Sequence, residues 1–508
     1  MRKENQRKNL KNNTDNSRRY DTITLEKLEN ENKRQKSSGH VIFIIYLFII
    51  LFMSLIVYLI HFQFTQSQKL VSDYRNPMLI EKEKNVKLGN VYASDAKTIL
   101  ATSEKTDNGY NRSYPYGEVF AHPIGYSKNG RTELESSLYQ SLLSTGDEDI
   151  SLIDKIRQMN DEKTDNTGNS VITTLDARLQ TVAYNAMGSR KGAVVIMEPK
   201  TGKVLTMVSK PSFDPNNLQE NWDNLVNDTT NSPLVNRATQ GLYPPGSTFK
   251  VLTALEYMRE NPNYSEYRYD CGGVIERNGL SVACAFNRAH GSLDIYGAMA
   301  QSCNGAFIDM GMTLDVTKYR QLVEDFGFNE KLPINDMPYT QSKFSLDKGS
   351  SQGEKMQTVF GQGNTLVTPL QNCIIASTIA NDGNMMEVQF VDRVLNSSGD
   401  VIEQKEPVIY KKVLDIAEAI QVKNMMRGVV TNGLAQQLKN SNYSVACKTG
   451  TAQYNNNNNT HNLIIGFAPE DDPQIAFSIV LEGYEGQPQI DNDLMYVTKT
   501  ILDSYFYR

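Results

Sequence analysis

The chain has 508 residues, enough for two or three domains, because one core rarely grows past about 250–300 residues. With 39% hydrophobic and 22% charged residues it has an ordinary globular composition, which excludes wholesale disorder. Residues 1–40 carry 11 Lys/Arg against 6 Asp/Glu, a balance of +5 in a chain of −6; the remainder therefore carries −11 and offers no basic face for nucleic acid.

Those first forty residues have too few apolar side chains to bury a core and read as a mobile cytoplasmic tail. Its basic groups set topology or also touch anionic lipid heads. From Val41 to Ile60 the sequence runs twenty residues without a charge, about the length that crosses a bilayer as a helix. A cleaved signal peptide would need a shorter apolar run and a small-residue cleavage site, which His61-Phe62-Gln63-Phe64 does not supply. The basic flank places residues 1–40 inside and everything after about 62 outside. The expectation is a single-pass cell-membrane protein (41–62), N-terminus cytoplasmic, with an extracytoplasmic remainder.

Residues 63–170 are polar and punctuated by Asn-Gly at 108–109 and 129–130. They end in the soluble stretch 159–170, which reads as a linker, and form a smaller non-catalytic module. After 170 the patterning sharpens. Leu175, Leu179, Val182, Ala183, Ala186 and Met187 share one helix face. GAVVIME (192–198) and VLTMVS (204–209), joined by a Pro-Lys-Thr-Gly turn, predict a hairpin. Two further strands, HNLIIGFAP and QIAFSIVLEG, precede a last helix with Leu494, Val497, Ile501 and Leu502 on one side. Strands at both ends with helices between predict an α+β domain over 171–508 whose sheet joins its terminal portions.

Five cysteines lie at 271, 284, 303, 373 and 447, and an odd number excludes complete pairing. Cys271 and Cys284 leave open a local disulfide; the others read as small apolar residues. Metal binding has no support in ligand spacing, and no cofactor is expected.

Chemistry concentrates in three places. In Tyr243-Pro-Pro-Gly-Ser-Thr-Phe-Lys250, Ser247 falls at the first turn of an apolar helix with Lys250 three residues on, on the same face. A serine needs a base to become a nucleophile, and a buried lysine with a lowered pKa can be one. An N-capping serine explains Ser247 alone equally well, and Ser345–Lys348 repeats the spacing in a solvated loop. Ser302-Cys303-Asn304 offers a hydroxyl for proton relay and an amide for a carbonyl, though Ser127-Lys128-Asn129 shows how cheaply that pattern arises. Lys448-Thr449-Gly450-Thr451 follows a strand-like segment and offers a cation and hydroxyls for a carboxylate, with Gly450 allowing close backbone approach. Its decoy is Lys200-Thr201-Gly202, in the hairpin turn.

The order SxxK, SxN, KTG is far more specific than any one motif. With ITTLDARLQ (172–180), NRATQGLYPPGSTFK (236–250), QSCNGAF (301–307), GQGNTLVTPLQ (361–371) and CKTGTAQ (447–453), the chain resembles a class B penicillin-binding protein of the short division type over nearly all of 171–508. RSYPYGEVFAHPIGY (112–126) extends the likeness more loosely to a pedestal- or dimerisation-like module. The family's usual Arg-Gly and Asp-Arg-Asn-Gly run is replaced by KLGNVYASDAK (87–97), and five asparagines at 455–459 elaborate a loop.

The resemblance implies a penicillin-binding, β-lactamase-like transpeptidase fold, an antiparallel sheet with helices. It implies a D,D-transpeptidase cross-linking peptidoglycan stem peptides through an acyl-Ser247 intermediate. Lys250 would be the base, and the Ser247 and Thr451 N–H groups the oxyanion hole. Ser302 would pass a proton with Lys250 and Lys448, Asn304 would hold the substrate amide, and Thr449, Gly450 and Thr451 would line the carboxylate site. β-Lactams would acylate Ser247, and a polytopic glycan polymerase is the partner the family suggests. A D,D-carboxypeptidase differs only in its acceptor and stays open. A β-lactamase would need a Glu-x-x-Leu-Asn run to activate water, and none follows Ser302. About 110 residues before the last domain are too few for a glycosyltransferase. A scaffold or β-lactam sensor has no need of all five polar motif residues. A Ser-His-Asp hydrolase would need one of His122, His290 or His461, none of which the motif set requires; His461 is expected beside the KTG strand.

Overall fold

In a computed structural model the described residues are 2–65, 77–107, 109–145, 166–277, 279–440, 442–454, 459–484 and 492–507. They fall into two compact units, up to Asn76 and from Pro77 onward. The first is one helix, Arg2–Thr65. It contains Val41–Phe62, the one stretch among the described residues long and apolar enough to cross a bilayer. The segment read as a mobile tail is thus helical from Arg2 onward. No Gly or Pro interrupts residues 2–38, and Lys, Arg, Glu and Leu lose little freedom in a helix. Residues 159–165 of the expected linker and 455–458 of the asparagine run lie outside the described residues.

In the second unit, strands β1 (Val91–Tyr92), β2 (Ile99–Thr106), β3 (Gly109–Ser113) and β4 (Ser170–Thr173) come first. Next are β5 (Gly192–Met197), β6 (Val204–Lys210), β7 (Tyr269–Cys271), β8 (Val274–Arg277), β9 (Leu280–Ala283) and β10 (Gly291–Leu293). The last are β11 (Asn384–Met386), β12 (Val391–Leu395), β13 (Val401–Gln404), β14 (Ile409–Lys412), β15 (Ala446–Gln453), β16 (Thr460–Ala468) and β17 (Ile475–Tyr484).

A five-stranded antiparallel sheet, β15-β16-β17-β5-β6, joins the two ends of the 171–508 segment as expected. All six residues of β5 are buried, so both faces of the sheet are covered. The helix Pro369–Ala380 packs on β5, β16 and β17 and is buried on every side, its polar Gln371, Asn372, Ser377 and Thr378 included. The helices Ala177–Ala186 and Asn492–Phe506 pack on each other and on β6, β16 and β17. Leu179 and Ala183 of the first and Leu494, Val497, Ile501 and Leu502 of the second point inward.

A second sheet, β13-β12-β4-β1-β2-β3, holds the upstream module. Its completion was not foreseen: β12 and β13 come from inside the later segment, and β12 pairs with β4 from Ser170–Leu395 to Thr173–Val391. Beside it, Arg112 donates from Nε to Glu135 at 2.7 Å and from one terminal nitrogen to the Gly89 carbonyl at 2.7 Å. The two side chains are 2% and 0% exposed. Removing one partner of such a pair leaves a buried charge with no counterion. Arg112→Ala is therefore expected to cost about 3–5 kcal/mol in denaturant unfolding, and adding Glu135→Ala to restore part of it.

Candidate active site

Pro244 and Pro245 end the incoming segment, and Tyr243 forms a bridge with Val367 from the GNTLVTPLQ stretch. Gly246 then takes φ +56, a conformation costly for any residue with a Cβ. Its N–H donates to the Gly361 carbonyl at 2.8 Å. An added Cβ would stand 2.8 Å from the Thr451 oxygen and 3.2 Å from its nitrogen. This close approach sets a 3₁₀ turn, Gly246–Phe249, against β15, and the turn runs into the buried helix Lys250–Glu260. Ser247 lies inside that turn, half-buried, and the cap position belongs to Pro245. The capping reading of Ser247 therefore falls.

Lys250 and Lys448 are both fully buried. Lys250 Nζ donates to Asn304 Oδ1 at 2.7 Å, to the Ser302 carbonyl at 2.8 Å and to Ser302 Oγ at 3.2 Å. Lys448 Nζ donates to the same Ser302 Oγ at 3.0 Å and to the Thr449 carbonyl at 2.8 Å. Burial pulls Lys250 down to about 7. It holds Lys448 well below the usual lysine range, helped by the neighbouring Lys250 charge. No carboxylate offsets either group, so the pair resists double protonation. A neutral amine is the form that accepts a proton. Among the described residues Ser247 Oγ is not hydrogen-bonded to Lys250, whose donors are spent on Ser302 and Asn304.

Ser302 has φ +52. The cap of the following helix, Asn304–Thr313, is Cys303, whose Sγ accepts from the Ala306 N–H at 3.4 Å. Ser302 is thus free of the capping role and held between two amines. Asn304 Nδ2 donates to the Ala283 carbonyl at 2.9 Å, which leaves its second N–H for a substrate carbonyl.

β15 is an edge strand. The Thr451 carbonyl accepts from Gln362 Nε2 at 3.2 Å and so points away from β16. In an antiparallel strand a residue's N–H points to the same side as its C=O. The Thr451 N–H therefore faces the Ser247 turn, where two backbone donors can converge on a developing oxyanion. A cleft of about 1280 Å³ is lined by Ser247, Ser302, Asn304, Thr449, Gly450 and Thr451. All eight residues singled out in the sequence are brought together, six on the cleft wall and the two lysines behind it. The decoys are not: Ser345, Asp347 and Lys348 are exposed, Lys200 pairs with Asp472 on the surface, and Ser127–Asn129 lies in a bend. His461 sits beside the strand as expected, stacked on Tyr454 and edge-on to Tyr243.

Sequence reasoning gave no role to Gln362 or Gly361, although both lie in the GQGNTLVTPLQ stretch quoted for the resemblance. It also missed the wall built by Ser281–Arg288 and His290. The disulfide left open between Cys271 and Cys284 is absent, with the sulfurs 3.7 Å apart. Cys271, Cys284, Cys303 and His290 bring their sulfur and ring-nitrogen atoms within 4.8 Å of one another. The four side chains come from separate elements, at intervals that match no local zinc motif.

The transpeptidase domain of penicillin-binding proteins matches residues 192–501, and the penicillin-binding protein A dimerisation domain matches 89–171. The chain belongs to the class B penicillin-binding proteins. It is 29% identical over 444 residues to the peptidoglycan D,D-transpeptidase PbpA of Mycolicibacterium smegmatis, covering 81% of this chain and 87% of that one. Stage V sporulation protein D of Bacillus subtilis is 28% identical, covering 80% and 65%. Penicillin-binding protein A of M. tuberculosis, solved as an imipenem acyl-enzyme complex, superposes with a TM-score of 0.75 at 26% identity, covering 84% and 100%.

Two outcomes follow from this geometry. If neutral Lys250 takes the proton, the acylation rate by a fluorescent penicillin should fall about tenfold per pH unit below about 7 and level off above it; a flat profile would remove Lys250 as base. Gly246→Ala should cost about 1–3 kcal/mol in thermal unfolding and abolish acylation while the chain stays folded, because the methyl group meets Thr451.

Proposed function

We propose that this chain is a membrane-anchored peptidoglycan D,D-transpeptidase whose nucleophile is Ser247. The observation that carries the reading is the convergence of Ser247, Lys250, Ser302 and Lys448 on one cleft. Ser247 Oγ attacks the penultimate D-Ala carbonyl of a stem peptide as Lys250 takes its proton. The Ser247 and Thr451 N–H groups hold the oxyanion. The C–N bond then breaks, and Ser302, between the two amines, passes a proton to the departing D-Ala. Asn304 holds the substrate amide, and Thr449 and Thr451 hold its terminal carboxylate. An amine of a second stem peptide attacks the ester, its surplus proton returns through the same relay, and Ser247 is released with the cross-link formed. A β-lactam follows the first half and leaves Ser247 acylated; a relative solved as acyl-enzymes with imipenem and with penicillin G supports this.

The basic flank before Val41 supports an orientation with the N-terminus in the cytoplasm and the cleft outside. The position of the span and the upstream module supports a polytopic glycan polymerase as their partner.

Covalent labelling of the full chain by fluorescent penicillin tests the nucleophile. Wild type should gain one drug mass and Ser247→Ala none; a labelled mutant would move the nucleophile elsewhere. Incubation with D-Ala-D-Ala stem peptides should release D-Ala with dimer formation, whereas hydrolysed monomer alone would make the enzyme a carboxypeptidase.

A further inference from the structure

A second cavity, of about 580 Å³, shares no lining residue with the catalytic cleft. Its volume suits a small organic molecule. The short helices Ala121–Ile124 and Glu133–Ser137 of the upstream module form one side. Phe213, Gln240 and the loop 335–338 of the later segment form the other. The two sides are tied where Ser137 Oγ donates to the Asp336 carbonyl at 2.5 Å. The Asp336 carboxylate is already taken, since both its oxygens accept from Lys405 Nζ, at 2.7 and 2.8 Å.

Glu133 is the anomaly in this wall. It is 6% exposed, and its Oε2 has no hydrogen-bond partner. No cation among the described residues offsets it, and burial pushes its carboxyl up to about 8. Its φ is +49, in the left-handed region where a residue with a Cβ is strained and glycine is not. Glutamate there destabilises the fold twice, through its backbone and through its buried carboxyl. Strain kept at a buried, unpaired group points to a ligand.

Two residues earlier, Arg131 repeats the pattern with opposite sign. Its side chain is 6% exposed, one terminal nitrogen pairs with Glu83 at 2.7 Å, and Nε donates to nothing. The guanidinium is fixed over the Tyr139 ring at 3.6 Å. An acceptor and a donor therefore stand unpaired on one wall, their Cα atoms at most about 7 Å apart. Tyr126 and Phe213, edge to face at 5.7 Å, add aromatic surface of the kind that attracts an ammonium.

We propose that this cavity binds a free amino acid, its ammonium on Glu133 and its carboxylate on Arg131 Nε. The ammonium supplies the counter-charge and the donors that Glu133 lacks. The carboxylate accepts from the Nε–H, and one α-carbon carries both groups. A metal ion fits less well, because Glu133 is the one lining carboxylate not already held by a cation. The occupant reaches toward the catalytic turn along the chain. Gln240 lies seven residues before Ser247, and the Thr340 N–H donates to the Thr239 carbonyl at 2.9 Å. The inference does not rest on the acyl-serine reading.

Isothermal titration of the full chain in detergent tests it, with L-lysine and with D-alanine, the amino acid released in the proposed reaction. At least one should bind, at one molecule per chain. Glu133→Gln should weaken that binding at least about tenfold, and Ser247→Ala should keep it. Cadaverine lacks the carboxylate and acetate lacks the ammonium, so each should bind at least about tenfold more weakly. Glu133→Gly removes the strained Cβ and the buried carboxyl together. It should abolish binding yet raise the thermal-unfolding midpoint by about 2 °C. Failure of both amino acids to bind wild type would overturn the proposal, as would equal binding to Glu133→Gln or equal binding of cadaverine. A lowered midpoint for Glu133→Gly would make the glutamate a structural residue and overturn it as well.

Discussion

Two amines buried around one hydroxyl, with no carboxylate to pay for either, are the constraint on which the site depends. Lys250 and Lys448 reach Ser302 Oγ from opposite elements, one from a helix and one from an edge strand. Burial disfavours the charged form of each, and each charge disfavours the other. The neutral base that a serine nucleophile needs is therefore made by exclusion of water. The arrangement survives only if both elements are held rigidly. That is the work of the close contacts at Gly246 and Gly361 and of the fully buried helix Pro369–Ala380 beneath the sheet.

Where chemistry and secondary structure are local, the sequence carried them well. The hairpin β5-β6, the closing strands β16 and β17, and the last helix follow from apolar period and turn residues. Ser247 and Lys250 share a helical face because they are three apart. The decoys were separable only by context: Ser345–Lys348 has the spacing of the real motif but is followed by no apolar helix.

What the sequence hid is what the fold brings together from afar. Cys303 reads as filler inside Ser-Cys-Asn, yet it caps a helix and meets two cysteines from another segment. The intervals between these cysteines mean nothing until β7 and β10 pair. Arg112 and Glu135 look like surface charges, and only burial makes them a pair. Positive φ at Ser302 and Phe286 is invisible too, because both side chains ordinarily avoid it. The basic segment before the span was read for its lack of a core, a test that says nothing about helical propensity.

The pairing of β12 with β4 bears on how the molecule is made. The upstream module cannot finish its sheet with residues of its own. Two of its six strands are synthesised only after the Ser247 turn, the Ser302 turn and the helix Pro369–Ala380. Until then β4 presents an unpaired edge, the kind of surface on which chains stick to one another. A module that comes first in sequence is thus completed late, and the two regions must reach their folded state together.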